Sequence, residues 1–169
     1  MLNRVAGNQD DLYIMGVPPE GMETESEPFM DNPLIVLAPA EHPMVGRKRV
    51  PFAELAHEIL VVRAQGSGTR MTMERVFQER DIPLRIKMEL GSNEAIKQAV
   101  AGGLGLALLS RSSLGFETSQ KELVELDVEG FPILRAWYLV RPKGKQLSVV
   151  AATFLEFLRG HLQLLLRHR

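Results

Sequence analysis

Residues 87–110, KMELGSNEAIKQAVAGGLGLALLS, constrain this chain most, because they spell a complete strand–helix–strand unit. Ile86, Met88 and Leu90 alternate with Arg85, Lys87 and Glu89, the period-2 pattern of a strand with one face more buried. Gly91, Ser92 and Asn93 supply a turn with two side chains suited to capping a helix. Glu94 places a carboxylate in the first turn, where the helix dipole favours it. Ile96, Ala99 and Val100 share one helical face, and Lys97 lies off it. Gly102-Gly103 offers the left-handed stop that ends many helices. Residues 104–109 then form an almost unbroken apolar run, as expected of a strand covered on both faces. Two strands joined through so short a helix should run parallel, with a right-handed crossover.

The rest of the chain has the same alternating character. Residues 2–6 read as a helix end closed by Gly7-Asn8, followed by a short core strand at 12–15 and the turn Gly16-Val17-Pro18-Pro19. The acidic stretch 20–28 reads as a surface loop, residues 34–38 (LIVLA) as a strand, and Pro51 as the tolerated first proline of a short helix. A strand at 59–62 leads through Arg63-Ala64-Gln65-Gly66-Ser67-Gly68 into a helix over 69–80, with Met73, Val76 and Phe77 inward. After the central unit come a loop (111–121) and strands at 123–126 and 136–140. A final helix runs from Ser148, its stripe formed by Phe154, Leu155, Leu158, Leu162 and Leu165.

Composition narrows the function classes. Lys plus Arg (20) nearly balance Asp plus Glu (21), unlike a domain that binds nucleic acid through a basic surface. With no cysteine there is no disulfide, thiolate metal site or cysteine nucleophile, which suits a reducing cytoplasm. His42, His57, His161 and His168 are scattered without ligand spacing, so no metal is expected. Gly66-Ser67-Gly68 lacks the outer glycines of a nucleophile elbow and the third glycine of a dinucleotide fingerprint, and no catalytic residue or cofactor is assigned. No apolar run is long enough to span a bilayer.

Two strand-to-helix junctions carry the candidate chemistry: Gly66, Ser67, Gly68, Thr69 and Arg70, and then Ser92 and Asn93. In one parallel sheet both helices would start at its carboxyl edge, where open α/β folds bind ligands. Unpaired N–H groups, small residues and hydroxyls there favour a carboxylate or phosphate. The alternative is that these residues only cap their own helices. Arg63 and Arg70 could each pair with an anion or be solvated.

The order VVRAQGSGTR, MELGSNEAIKQAVAGGLGLALLS and AWYLVRPKGKQLSVVAATFLEFL resembles the effector-binding domain of LysR-type transcriptional regulators over essentially the whole chain. DDLYIMGVPPEG followed by DNPLIVLAPAEHPM is similar to the branch that regulates carbon-fixation (RuBisCO, CbbR-type) operons. The resemblance implies a type 2 periplasmic-binding-protein-like α/β fold: two Rossmann-like lobes with crossover strands, the first lobe incomplete. Residues 1–32 would be the remnant of the first lobe, 33–135 the second lobe, and 136–169 a return strand and helix. It also implies that a small anionic metabolite binds between lobes. The contacts would be the Gly66–Thr69 junction and Met15, Gly16, Val17 and Pro18; Ser92 and Asn93 are added by the helix-terminus argument. A phosphorylated sugar, a related phosphometabolite or a nicotinamide nucleotide would be the effector. The protein would be a cytoplasmic homo-oligomer, dimer or tetramer, touching DNA only through a winged helix-turn-helix outside these residues. A solute-binding protein or an enzyme on the same fold are the rivals; the first needs a complete first lobe, the second a pair of convergent titratable groups.

Overall fold

The computed structural model describes residues 2–114 and 122–167, with side-chain surroundings described as far as His161. The loop expected at 111–121 is thus seen only to residue 114, and Leu162, Leu165 and the basic cluster at 167–169 lie outside the described side chains. In chain order the elements are α1 (Leu2–Ala6), β1 (Tyr13–Met15), β2 (Thr24–Asp31), β3 (Leu34–Pro39), a 3-10 helix (Phe52–His57), β4 (Leu60–Arg63) and α2 (Gly68–Glu79). They continue as β5 (Ile86–Leu90), α3 (Asn93–Ala101), β6 (Ala107–Ser110), a 3-10 turn (Arg111–Ser113), β7 (Leu123–Leu126), β8 (Ala136–Pro142) and α4 (Val149–Arg167). Contacts divide the chain into two units, Met1–Asp31 with Ala136–Arg169, and Asn32–Arg135.

In the Asn32–Arg135 unit, β6, β3 and β7 pair antiparallel in that order, and β4 pairs with β5 in parallel. The Val61 N–H donates to the Leu106 carbonyl, and the Leu106 N–H to the Ile59 carbonyl, at 2.8 Å each; this stitches β4 to the start of β6 in parallel. Strands β5 and β6 therefore run in the same direction, as the short crossover predicts, with β4 between them. Alternate residues of β3 and β6 enter opposite cores. Val36, Ala38, Leu106 and Leu108 pack with Met73, Val76 and Phe77 of α2, whereas Ile35, Leu37, Ala107 and Leu109 pack with Ile96, Ala99 and Val100 of α3. Two covered faces explain why these strands read as continuous apolar runs.

Helix α3 ends as its sequence predicts. Gly103 takes φ +73°, its N–H bonds the Val100 carbonyl, and the Leu104 N–H bonds the Ala99 carbonyl, a Schellman cap. Two expectations fail here. Ile86 is exposed, because β5 is an edge strand and only Met88 and Leu90 of its inner face pack beside the α3 core. Lys97 is buried rather than outward, with its ammonium 2.5 Å from Glu94. A long aliphatic stem can cover apolar surface while its charge meets a carboxylate one turn away.

In the other unit, β8 is central, flanked by β1 and β2, both antiparallel to it. Val140 packs with Val5 of α1 and with Tyr13 and Met15, while its neighbour Leu139 packs with Leu155 and Leu158 of α4. Ser148 caps α4 by accepting the Ala151 N–H, but Phe154 points outward, beside the buried stripe rather than on it. Among the described residues no helix is long and apolar enough to cross a membrane.

The acidic stretch read as a loop is largely strand β2. Its composition disfavours strand, yet its partners override propensity. Arg141 of β8 pairs with Glu25, Lys143 lies 3.2 Å from Glu23, and Arg159 of α4 grips Glu27 at 2.5 Å. The ladder shifts register between Pro28 and Met30, which accommodates a residue that cannot donate. The hydrogen bond from Arg159 holds the Glu27 carboxyl below its ordinary value of 4.5. A depressed folded pKa contributes stability above about pH 4.5 that is lost as pH falls through the folded value. Because both side chains are about half exposed, Arg159→Gln should cost well under 1 kcal/mol at neutral pH and flatten the acid side of the profile. Urea midpoints between pH 3 and 7 would show it; a variant with an unchanged acid slope contradicts the pairing.

Candidate functional site

Strands β4 and β5 run side by side, with Arg63 opposite Leu90 and the Ala64 N–H donating to the Leu90 carbonyl at 3.1 Å. Being parallel, and paired from Val61–Met88 to Arg63–Leu90 after a register shift at Leu60, they end together, so the two junctions that follow open on one carboxyl edge. There the backbone turns at Gly66, whose φ of +78° disfavours a side chain and whose missing Cβ would meet nothing within 4 Å.

Each helix start is capped. The Ser67 hydroxyl accepts the Arg70 N–H at 3.1 Å, and the Ser92 hydroxyl accepts the Ala95 N–H at 3.2 Å. A hydroxyl that accepts in this way still carries a proton to donate, so capping and ligand contact are compatible. Gly68 is the first residue of α2, and Thr69 beside it is half-buried. Asn93, the first residue of α3, joins the two junctions: its Oδ1 accepts from Arg63 Nη1 at 2.5 Å.

Arg70 is 6% exposed and turns toward two carboxylates, with Nε 2.6 Å from Glu74 and Nη1 3.8 Å from Glu89. Glu89 also accepts the Gln65 N–H, at 3.4 Å. Arg70 therefore braces the turn rather than facing solvent, and Glu89 is a site neighbour that the sequence alone does not reveal. Its place in β5, opposite Val62, is what brings it there.

Met15, Gly16, Val17 and Pro18 belong to the other unit. Met15 ends β1 and is buried, the next three residues form the following turn, and Val17 is exposed. That unit also holds a cavity of about 210 Å³ lined by Leu12, Leu139, Leu155 and two ion pairs, Glu25–Arg141 and Glu27–Arg159. Its charges cancel pairwise, so it offers an anion no unpaired cation.

The electrostatic character of the β4–β5 edge follows from its donors. Three buried side-chain polar atoms lack a hydrogen-bond partner among the described residues: Asn32 Nδ2, Arg63 Nε and Arg70 Nη1. All three are donors, and all three belong to the Asn32–Arg135 unit. Leaving a buried donor unpaired costs about 1–3 kcal/mol, so an acceptor arriving there is favoured. Among the described residues no group of three or more His, Asp or Glu side chains could hold a metal ion.

Residues 1–163 match the family model described as the LysR substrate binding domain. The chain is 47% identical over 161 residues to the HTH-type transcriptional activator CmpR of Synechocystis, covering 95% of this chain and 53% of that protein. It is 49% identical over 157 residues to the RuBisCO operon transcriptional regulator of Allochromatium vinosum, covering 93% and 52%. The chain thus spans about half the length of these curated relatives, which are regulators and not enzymes. Among solved structures, the Synechocystis CcmR regulatory domain in complex with 2-PG superposes with a TM-score of 0.89 at 45% identity, covering 93% of this chain and 76% of that one. The effector-binding domain of QuiR, at 18% identity and a TM-score of 0.78, shares the mixed α/β fold. The chain belongs to the LysR substrate-binding domain family.

Proposed function

We propose that this chain is the sensing portion of a LysR-type regulator of a carbon-fixation operon, and that it binds a small phosphorylated carboxylate of the 2-phosphoglycolate class. The observation that carries the reading is the set of buried donors with no hydrogen-bond partner among the described residues, Asn32 Nδ2, Arg63 Nε and Arg70 Nη1, of which only Arg70 has a carboxylate nearby, Glu89 at 3.8 Å. The relative solved with 2-PG supplies the ligand class.

In this reading Ser67 and Thr69 donate hydroxyl protons to the anionic group, and Gly66 and Gly68 let it approach backbone N–H groups at the start of α2, where the helix dipole favours negative charge. Arg63 and Asn93 fix the second junction beside the first, with Ser92 completing it. Arg70 braces the turn against Glu74 and Glu89. In this reading lobe I is the unit Met1–Asp31 with Ala136–Arg169, which holds residues 15–18, and lobe II is the unit Asn32–Arg135. Binding shifts the population of lobe arrangements, which biases a cytoplasmic homo-oligomer. DNA is read by a helix-turn-helix outside these 169 residues.

Calorimetric titration of 2-phosphoglycolate, a sugar phosphate and a nicotinamide nucleotide into the protein tests the ligand class. Thr69→Val, which removes one hydroxyl without changing shape, should weaken binding about three- to tenfold, the worth of one hydrogen bond. Unchanged affinity removes Thr69 from the site. Ser67→Ala should weaken binding and also cost about 1 kcal/mol of stability through the lost cap.

A further inference from the structure

The inference rests on the effector reading and concerns a part of the same sheet edge that the helix-start contacts leave unused. Strand β6 runs with β4 and therefore ends on the same side, and Leu34, at the start of β3, pairs with Ser110, at the end of β6. Asn32 stands just before β3 and is 1% exposed. Its backbone is satisfied: its N–H donates to the Arg135 carbonyl at 2.7 Å, and its own carbonyl accepts from Arg135 Nε at 3.2 Å. Its side-chain oxygen accepts from the Ser110 hydroxyl, which lies 2.7 Å from the Ser112 hydroxyl. That leaves Nδ2 buried with no partner among the described residues.

Arg135 has the complementary deficit. It takes part in none of the ion pairs among the described residues, and burial pushes its pKa down to about 10. Arg70, the buried arginine of this edge, has two carboxylates beside it, whereas Arg135 is half-buried. A half-buried guanidinium with no acid among the described residues, next to a buried amide donor with no acceptor among them, is costly unless an anion joins them.

We propose that Asn32, Ser110 and Arg135 form a subsite for one oxyanion of the effector, a carboxylate or a phosphate. The Asn32 amide and the free nitrogens of Arg135 donate to it, while the Ser110–Ser112 hydroxyl pair holds the Asn32 oxygen and so aims its N–H group. One to two strand spacings, about 5–10 Å, separate this point from the end of β4. A ligand with two anionic ends on a short carbon chain would thus reach both subsites.

The test titrates 2-phosphoglycolate, and separately inorganic phosphate and glycolate, into the 169-residue protein. Binding is followed by calorimetry and by the side-chain amide resonances of Asn32. Saturation with 2-phosphoglycolate should shift the Asn32 amide pair. Arg135→Gln should weaken binding ten- to hundredfold, the range expected for a charged hydrogen bond, with Arg135→Lys recovering most of the loss. If the Ser67 and Thr69 amides shift while Asn32 does not, or if Arg135→Gln binds within twofold of wild type, the subsite is overturned and the effector reading stands. Should inorganic phosphate or glycolate move Asn32 while 2-phosphoglycolate does not bind, the subsite stands and the phosphoglycolate reading falls. No shift of Asn32 with any of the three overturns the subsite, and this readout decides the matter even if an Arg135 variant fails to fold.

Discussion

Gly105→Ala should lower stability by about 3–5 kcal/mol, a loss comparable with the whole margin of a small domain. Gly105 adopts φ +149°, and a Cβ built there would stand 2.4 Å from the Ile59 carbonyl oxygen and 3.1 Å from its carbonyl carbon. Neither neighbour can yield cheaply, since the Ile59 carbonyl accepts the Leu106 N–H at 2.8 Å in the contact that joins β4 to β6. The added methyl must therefore strain the backbone or part the two strands that carry the candidate site. Gly103→Ala is the control. That residue has φ +73° with nothing within 4 Å, so only the left-handed backbone penalty of about 1–2 kcal/mol remains. Denaturant unfolding of the two variants separates crowding from conformation; equal losses would remove the crowding argument.

Phe77→Ala should cost about 3–5 kcal/mol, the range for emptying a fully buried aromatic site. Phe77 is 1% exposed, and its ring meets that of Phe52 edge-on at 5.0 Å between centroids. Phe52 in turn stacks on Phe131 at 5.9 Å, so the substitution opens a hole beneath α2 that one rotamer change cannot refill. Because α2 carries Ser67 to Arg70 at its start, effector affinity should fall along with stability. Phe77→Leu should retain most of both. A loss below 1 kcal/mol for Phe77→Ala would mean that the α2 core collapses readily and does not fix the turn.

The candidate site was only partly legible. Small residues ahead of an amphipathic helix announce a capped junction, and Ser67 and Ser92 each accept the N–H three residues on. Such bonds span three residues, so local sequence contains both partners. Arg63 reaching Asn93 spans thirty residues, and Asn32 meeting Ser110 spans seventy-eight. No periodicity records partners so far apart. Arg70 likewise carries no local sign that Glu89 waits across a strand.

By itself the sequence determined the elements whose signals are local: the strand–helix–strand unit, the Gly103 stop, and the strands β3 and β6, apolar throughout save Ser110 at the end of β6, because both faces are covered. The family motifs also lie within it, as contiguous runs. Tertiary structure alone decided that the acidic stretch becomes β2, that Ile86 faces outward, that Lys97 is buried, and that Asn32 and Arg135 are brought together. Each of these depends on where the element sits among segments from elsewhere in the chain. A strand of poor propensity forms when basic partners flank it, and an apolar residue is exposed when its strand falls at the sheet's edge.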